Sequence, residues 1–321
     1  MFCLAMPWRK LALVQTWTVR DAMTTTFAAL GGVLLMACGT AALADGYVLA
    51  PYKDDLFAYP KVLESGYGGD YVKVEYIESR DIDQRDVVPV KKVRPEYVSL
   101  DIKAVERDLT IKFGRKSIKY IATGKIDGGA KAIVLYVHGR RGNRFQGADD
   151  GMFGGNFNRI KNLMVRNGGL YLSPGFRSLK NKGRDAAKAL IKEYAATSPG
   201  APIFVACGSL GGGICWRLIE DRQVAPLLAG MLLLGSTNDD RFFRSPPATG
   251  AAKKVPIYIG HGTRDRIIRW KSQEAFFQKV RRNLPGYPIR LAIFDSGVHG
   301  TPIRMTDWRL VLNWMLGVGD E

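Results

Sequence analysis

Cysteine and histidine are scarce in this chain, which has four cysteines and three histidines among 321 residues. None of their spacings suits a structural zinc site, so we expect none. Cys207 and Cys215 flank a glycine-rich turn, where a bridge between them is expected to distort the backbone. We therefore expect two buried free thiols and no disulfide framework.

The signatures of nucleotide binding are also missing. The glycine-rich turn at 208–213 lacks the G-x-G-x-x-G spacing, and no following strand ends in a well-placed ribose-binding acid. A phosphate-binding loop ending in Gly-Lys-Ser/Thr is absent from the sequence as well. The sequence therefore predicts neither a dinucleotide nor a nucleoside triphosphate site at this turn.

Acidic residues are outnumbered by basic ones, giving a formal net charge of +17. The basic residues are scattered from Lys91 to Arg309 with acids between them, and no Lys/Arg-rich helix with stacking aromatic residues occurs. This distribution favours a solvated basic surface over a dedicated nucleic-acid site, so no nucleic-acid partner is expected.

The first 44 residues have the pattern of an export signal. Basic residues precede an apolar run at 27–38, and Ala42-Leu43-Ala44 gives the small-x-small pattern of a signal-peptidase site. We expect an exported protein, periplasmic or secreted, with no membrane span in its mature form. The alternative is a lipobox at 35–38, in which Cys38 becomes a lipidated N-terminus and anchors the protein in the envelope.

Two further regions follow the leader. Residues 45–97 show short alternating runs broken by Gly and Pro, which predict a β-rich or extended N-terminal appendage. Residues 98–321 alternate between apolar strands and amphipathic helices, which predicts an α/β fold: a mostly parallel sheet with helices on both faces. The segment 235–254 is too short for a large helical cap, so we expect an open site.

The predicted elements of residues 98–321 begin with a hairpin. Its strands are 108–113 and 117–122; the buried strands are 132–137, 170–172, 202–206, 231–234, 256–259 and 289–294; the helices are 157–165, 184–194, 212–220, 272–282 and 305–315. In such a sheet, chemistry is expected in the loops after the carboxyl ends of the strands.

Ser209 lies on one of these loops, between a buried strand and a helix. The small residues around it, Gly208, Gly211 and Gly212, give a strained strand-to-helix turn the room it needs. The alternative is a strand–helix junction that is merely rich in glycine.

The three histidines also follow predicted strands. His299 comes after the last strand, where a general base can reach a serine displayed above the sheet, and Asp265 is placed to orient it. Asp295 is an alternative acid, but it lies too near His299 in sequence for a favourable pairing. His138 and His261 are expected to be structural, with hydrogen bonds inside their own loops.

Four motifs in order carry a family resemblance: His138-Gly139, Gly208-Ser209-Leu210-Gly211, His261-Gly262-x-x-Asp265 and His299. With them the chain resembles the α/β-hydrolase superfamily, specifically its serine esterase and peptidase-like members, from about Val98 to Met315. The order Ser, Asp, His is the order of that family.

The resemblance implies an α/β-hydrolase fold and an acyl-enzyme mechanism without a metal or organic cofactor. Ser209 would be the nucleophile, His299 the base and Asp265 the acid of the triad. The backbone N–H groups of Leu210 and Arg140 would form the oxyanion hole. The chain departs from the family pattern at Cys207, in place of glycine, and at Arg140-Arg141, where many esterases have glycines.

The sequence thus predicts an exported serine hydrolase acting on carboxylic esters, carried on small molecules or on a polymer. Peptidase, lactonase and thioesterase activities use the same constellation and stay open. So does a non-catalytic basic envelope protein that binds an acidic polymer. The cluster Arg140, Arg141 and Arg144 would favour an anionic substrate if it faced the pocket; we expect it to face outward.

Overall fold

The computed structural model describes residues 46–87 and 92–318. The leader predicted at residues 1–44, including Cys38, lies outside the described residues. In the described part of the chain, no helix combines the length and the apolar character needed to cross a bilayer.

Most of the strands belong to one sheet. In chain order they are β1 (Val62–Gly66), β2 (Tyr71–Glu75), β3 (Asp86–Val87), β4 (Lys92–Val93), β5 (Glu106–Phe113), β6 (Lys116–Gly124), β7 (Ile133–Val137), β8 (Leu170–Pro174), β9 (Ile203–Gly208), β10 (Leu228–Leu234), β11 (Ile257–Gly262) and β12 (Ile289–Asp295). Ten of them form a sheet in the order β1-β2-β12-β11-β10-β9-β7-β8-β6-β5, and β3 pairs with β4 separately.

The α-helices of the described residues precede, connect or follow these strands. They are α1 (Asp54–Phe57), α2 (Asn156–Arg166), α3 (Asn181–Thr197), α4 (Gly212–Glu220), α5 (Trp270–Asn283), α6 (Thr301–Met305) and α7 (Trp308–Val318). The sequence predicts one helix at 305–315, whereas the structure ends α6 at Met305 and begins α7 at Trp308.

The sheet has an apolar core on each face, as a fully buried parallel sheet requires. Side chains of α3, α4 and α5 pack with one set of strand residues, and side chains of α2, α6 and α7 pack with the alternate set. Strand β7 shows this alternation directly, because Leu135 belongs to the first core and Tyr136 to the second. The predicted α/β fold with helices on both faces is confirmed.

Residues from the predicted N-terminal appendage are part of this sheet. Strand β2 pairs in parallel with β12, with Tyr71 opposite Leu291, and β1 adds an antiparallel edge. The same segment also covers α2, where the fully buried Arg159 donates to Asp54 at 3.0 Å and to Asp307 at 3.0 Å. The two longer strands of this segment continue the main sheet.

The strand order reverses next to β7, and this reversal places the candidate site. From β7 the chain goes to β8 on one side and then to β9 on the other. Their two connections leave the sheet in opposite directions, which opens a crevice at the carboxyl ends of β7 and β9. The loops at this crevice carry His138-Gly139 and Ser209.

Candidate active site

Ser209 stands on a strained turn between β9 and α4. Its φ is 51°, in the left-handed region that a residue with a side chain rarely adopts. The turn is closely packed: a Cβ on Gly208 would lie 2.6 Å from the Tyr136 hydroxyl oxygen, and one on Gly211 would lie 2.6 Å from the Val137 carbonyl oxygen. The local strain and the small neighbours are those predicted for a serine displayed above a sheet.

The two cysteines beside this turn form a disulfide. Cys207 ends β9 and Cys215 lies in the first turns of α4, with Cα atoms 6.4 Å apart and a sequence separation of 8. The prediction of two free thiols is therefore wrong. Because α4 packs back against the strand, the pair comes within bonding range without displacing Ser209.

His299 bonds the Ser209 hydroxyl. Its Nε2 lies 2.8 Å from Ser209 Oγ, and its side chain is 25% exposed, so solvent reaches the imidazole. The loop that carries it is closed by local bonds, since the N–H of Val298 donates to the Thr301 hydroxyl oxygen at 2.9 Å. Gly235 lets this loop approach β10, because a Cβ there would lie 2.7 Å from the His299 carbonyl oxygen.

Asp265 lies on the other side of the imidazole. Its Oδ2 accepts from His299 Nδ1 at 2.7 Å, while its Oδ1 accepts from the N–H groups of Ile267 and Ile268 at 2.8 and 3.0 Å. Burial by itself would raise the pKa of this carboxyl. The hydrogen bonds from His261, His299 and the two backbone N–H groups outweigh burial and hold the pKa well below its usual range. Asp265 is therefore a carboxylate throughout the neutral range.

His261 contacts the same carboxylate. Its Nε2 lies 3.0 Å from Asp265 Oδ2 and 2.9 Å from the Ile268 carbonyl oxygen. Both neighbours are acceptors, so Nε2 carries the proton. The sequence predicts a structural role with bonds inside the loop, and the structure adds a direct contact with Asp265.

His138 fixes the loop after β7. Its Nε2 accepts from the N–H of Phe176 at 2.8 Å, which leaves Nδ1 to donate to the Gly139 carbonyl oxygen at 2.8 Å. Burial lowers the pKa of His138, against the opposing effect of the Gly139 bond. A neutral His138 thus holds Gly139 and Arg140 in place beside Ser209.

Gly139 approaches Ser209 very closely. A Cβ at this position would lie 2.8 Å from Ser209 Cβ and 3.2 Å from the Gly208 carbonyl oxygen. Only glycine therefore lets the loop after β7 pass over the serine. Arg140 follows Gly139 and Leu210 follows Ser209 directly in the chain, and these are the two residues whose N–H groups the resemblance assigns to an oxyanion hole.

The remaining sequence-predicted residues lie apart from this arrangement. Asp295 forms an ion pair with Lys73 at 3.3 Å. The side chains of Arg140 and Arg141 are exposed, and Arg144 donates to both oxygens of Asp108 at 2.9 and 2.8 Å. Among residues 46–87 and 92–318, no cluster of three or more His, Cys, Asp or Glu side chains could hold a metal ion.

One contact was missed from the sequence. The Ser236 hydroxyl donates to the Ser209 carbonyl oxygen at 2.6 Å and so fixes the strained turn from β10. Ser236 directly follows Gly235 after a predicted strand, which is a usable signal. A lone serine after a strand is too common, however, to be assigned without the tertiary contact.

The fold is similar to those of several solved structures. One is a thermostable esterase, 16% identical, with a TM-score of 0.54; the match covers 67% of this chain and 64% of that one, less than two thirds of the esterase's length. No protein-family model and no curated protein sequence matches the chain.

Two weaker likenesses have TM-scores below 0.5. A soluble variant of monoglyceride lipase from Saccharomyces cerevisiae is 14% identical, with a TM-score of 0.46, over 67% of this chain and 96% of that one. A thermostable esterase from Pseudomonas putida is 17% identical, with a TM-score of 0.45, over 70% and 84%. At such identities the likeness concerns the fold. With its strand order and its strand-to-helix turn at Ser209, the chain has the fold of the α/β-hydrolase superfamily.

Proposed function

We propose that this protein is a serine hydrolase that cleaves carboxylic esters through an acyl-enzyme. The observation that carries the proposal is the continuous hydrogen-bonded chain from Ser209 Oγ through His299 to Asp265, with contacts of 2.8 and 2.7 Å. A nucleophile, a base and an orienting carboxylate in hydrogen-bond contact are what acyl transfer requires.

The first half of the reaction forms the acyl-enzyme. Ser209 Oγ attacks the ester carbonyl carbon while His299 Nε2 takes its proton, and Asp265 stabilises the imidazolium through Nδ1. The N–H groups of Leu210 and Arg140 donate to the oxyanion of the tetrahedral intermediate, where each such donor contributes about 3 kcal/mol. The intermediate collapses, and the alcohol leaves with the proton from His299.

The second half releases the acid. His299 removes a proton from water, the resulting hydroxide attacks the acyl carbon, and Ser209 Oγ leaves with the proton returned by His299. Leu210 and Val298, next in sequence to Ser209 and His299, are 40% and 51% exposed. These exposed apolar side chains suit the hydrocarbon parts of an ester.

Export is the second part of the proposal. It rests on the signal pattern of residues 1–44, and the buried disulfide between Cys207 and Cys215 is typical of proteins that fold outside the reducing cytosol. Fractionation of the producing cell, with the N-terminal residue of the mature chain determined, separates cleavage before Asp45 from lipidation of Cys38.

Labelling with a fluorophosphonate probe tests the proposed chemistry. We expect the wild-type protein and a Ser65→Ala control, altered at an exposed serine of β1, to be labelled and to hydrolyse 4-nitrophenyl butyrate. Ser209→Ala should lose both properties while keeping its thermal unfolding midpoint. Labelling that survives in Ser209→Ala would contradict the assignment, and comparing the butyrate ester with its anilide separates esterase from peptidase activity.

A further inference from the structure

A groove lined by positive charge lies beside the candidate active site. It has a volume of about 470 Å³ and is formed by the β5–β6 hairpin, the loop after β8 and the start of α3. Five of its lining residues are cationic and none is acidic; they are Lys116, Lys119, Arg144, Arg177 and Lys182. We call it the cationic groove.

Most of this charge is not neutralised by the residues that the structure describes. Arg144 is paired with Asp108 at 2.8 Å. The described residues provide no ion pair for the other four cations, Lys116, Lys119, Arg177 and Lys182, whose side chains are exposed. Unneutralised cations converging on one concave surface produce a positive potential that attracts anions.

Helix stability does not account for the position of Lys182. Lys182 lies in the first turn of α3, and that first turn contains no acidic residue. A positive side chain at the start of a helix is electrostatically unfavourable, because the helix dipole is positive there. Lys182 therefore weakens the helix that carries it, and a ligand is the simplest reason for its position.

The groove shares a wall with the loop after β7, residues 138–140, which we call the oxyanion loop after its proposed role. Phe176 lines the groove and donates its N–H to His138 Nε2 at 2.8 Å. His138 belongs to the loop after β7 and lies two residues before Arg140 in the chain. Gly175 donates to the Lys119 carbonyl oxygen at 3.0 Å, which ties the hairpin to the same loop. The β5–β6 turn lies beside the end of β8, since Tyr120 pairs with Pro174, so the groove is at the same edge of the sheet as the loop that carries Ser209. We expect one extended molecule to reach both.

We propose, on the basis of the serine hydrolase function above, that the cationic groove binds a phosphate, sulfate or carboxylate group carried by the ester substrate away from its scissile bond. The volume suits a group of this kind together with part of the chain that bears it. Such remote binding holds the substrate and lends binding energy to the reaction at Ser209. The contacts are exposed and electrostatic, so they weaken as salt is added.

The test compares matched esters. One series consists of 4-nitrophenyl hemiesters of dicarboxylic acids of increasing length, and the other of their methyl-capped neutral partners. A further pair of butyrate esters, again one anionic and one methyl-capped, has the carboxylate on the alcohol side of the ester bond. We expect the ratio of kcat/KM between the anionic and the neutral ester to exceed one at low salt for at least one length, and to fall as salt rises.

Two triple variants with the same change of net charge sharpen the test. In the groove variant, Lys119→Gln/Arg177→Gln/Lys182→Gln, the ratio should fall about tenfold, as expected for three exposed ion pairs. In the control variant, Lys61→Gln/Lys192→Gln/Arg222→Gln, which removes three exposed cations outside the groove, it should not change. Neutral esters should be hydrolysed equally by both variants.

The outcomes are separable from those of the proposed function. An equal ratio in the groove and control variants, with neutral esters still hydrolysed, overturns the groove proposal alone. Absence of neutral ester hydrolysis and of labelling at Ser209 overturns the hydrolase function. Inorganic phosphate should inhibit hydrolysis of the anionic esters only. Equal inhibition of the neutral esters would show that the groove binds a free anion, and this result would overturn the proposal that it binds the substrate.

Discussion

Nε2 of His261 lies 3.0 Å from Oδ2 of Asp265, the same oxygen that accepts from Nδ1 of His299 at 2.7 Å. Two imidazoles therefore share one carboxylate oxygen. His261 is fully buried, and its second contact, to the Ile268 carbonyl oxygen, keeps its proton on Nε2. We expect it to position Asp265 and to withdraw part of its negative charge.

Replacing His261 is expected to change the pH dependence of the reaction. In His261→Leu, Asp265 loses one donor and pairs more strongly with the imidazolium of His299, so the acid limb of the kcat/KM profile should move to higher pH. We expect kcat to fall about tenfold. His261→Gln restores an N–H donor and should recover much of both effects. Equal losses in the two variants, without a shifted profile, would reduce His261 to a packing role.

Gly139→Ala should abolish most activity with little effect on the fold. The added Cβ would lie 2.8 Å from Ser209 Cβ, so the oxyanion loop or the serine must move, and misplacing a donor lowers kcat by about 100-fold. Gly317→Ala, where a Cβ meets no atom within 4 Å, is the control and should keep full activity. Steady-state kinetics and thermal unfolding measure the two effects, and a fully active Gly139→Ala would remove this loop from the site.

The disulfide between Cys207 and Cys215 is expected to stabilise the protein. It closes a short loop of sequence separation 8 around Ser209, for which chain entropy gives about 2.5 kcal/mol. The double variant Cys207→Ala/Cys215→Ala should therefore unfold at a lower urea concentration than the wild-type protein. The reduced wild-type protein should have the same lowered midpoint as the variant. When the wild-type protein is unfolded without reductant, no reactive thiol should be detected at these two residues. Two free thiols at these positions would contradict the presence of the disulfide.

Arg159 connects the N-terminal segment to the rest of the fold. Its buried guanidinium donates to Asp54 and Asp307. Arg159→Met therefore removes the charge partner of the buried Asp307, while Asp54 keeps Arg309, and should cost about 3 kcal/mol. The control is Arg107→Met, which breaks an exposed pair with Asp127 and should cost less than about 1 kcal/mol. Urea unfolding compares them; similar midpoints would show that the segment contributes little to stability.

His138 makes stability depend on pH. Its pKa in the folded protein is lowered by burial from 6.5, so the unfolded chain binds a proton more readily than the folded one. This contribution is complete above about pH 6.5 and is lost as the pH falls through the lowered pKa, at up to about 1.4 kcal/mol per pH unit. Asp265 acts in the same direction, but only below about pH 4.

Thermal unfolding between pH 6.5 and pH 5 measures this effect. The midpoint of the wild-type protein should fall as the pH is lowered, and His138→Gln, which has no titrating group at this position, should show a flatter dependence. An identical slope in the two proteins would mean that His138 is not the responsible group.

Local patterns were sufficient for most of the fold. The continuous apolar run of β7 predicts a strand buried on both faces, and the alternation of strands and helices predicts a parallel sheet. The order of Ser209, Asp265 and His299, each after its own strand, also follows from the sequence. Among the predicted helices, the sequence failed at α6 and α7, whose apolar spacing continues through the break at Thr306.

The sequence by itself determined the elements of this protein and the chemistry available in their loops, because hydrophobic period and turn residues are local properties. The tertiary structure decided everything that depends on contacts between distant segments: the parallel pairing of β2 with β12, the disulfide made by α4 packing against β9, and the second imidazole on Asp265. The cationic groove joins three separate segments in the same way. Such contacts are fixed by how the layers pack, and no local pattern encodes them.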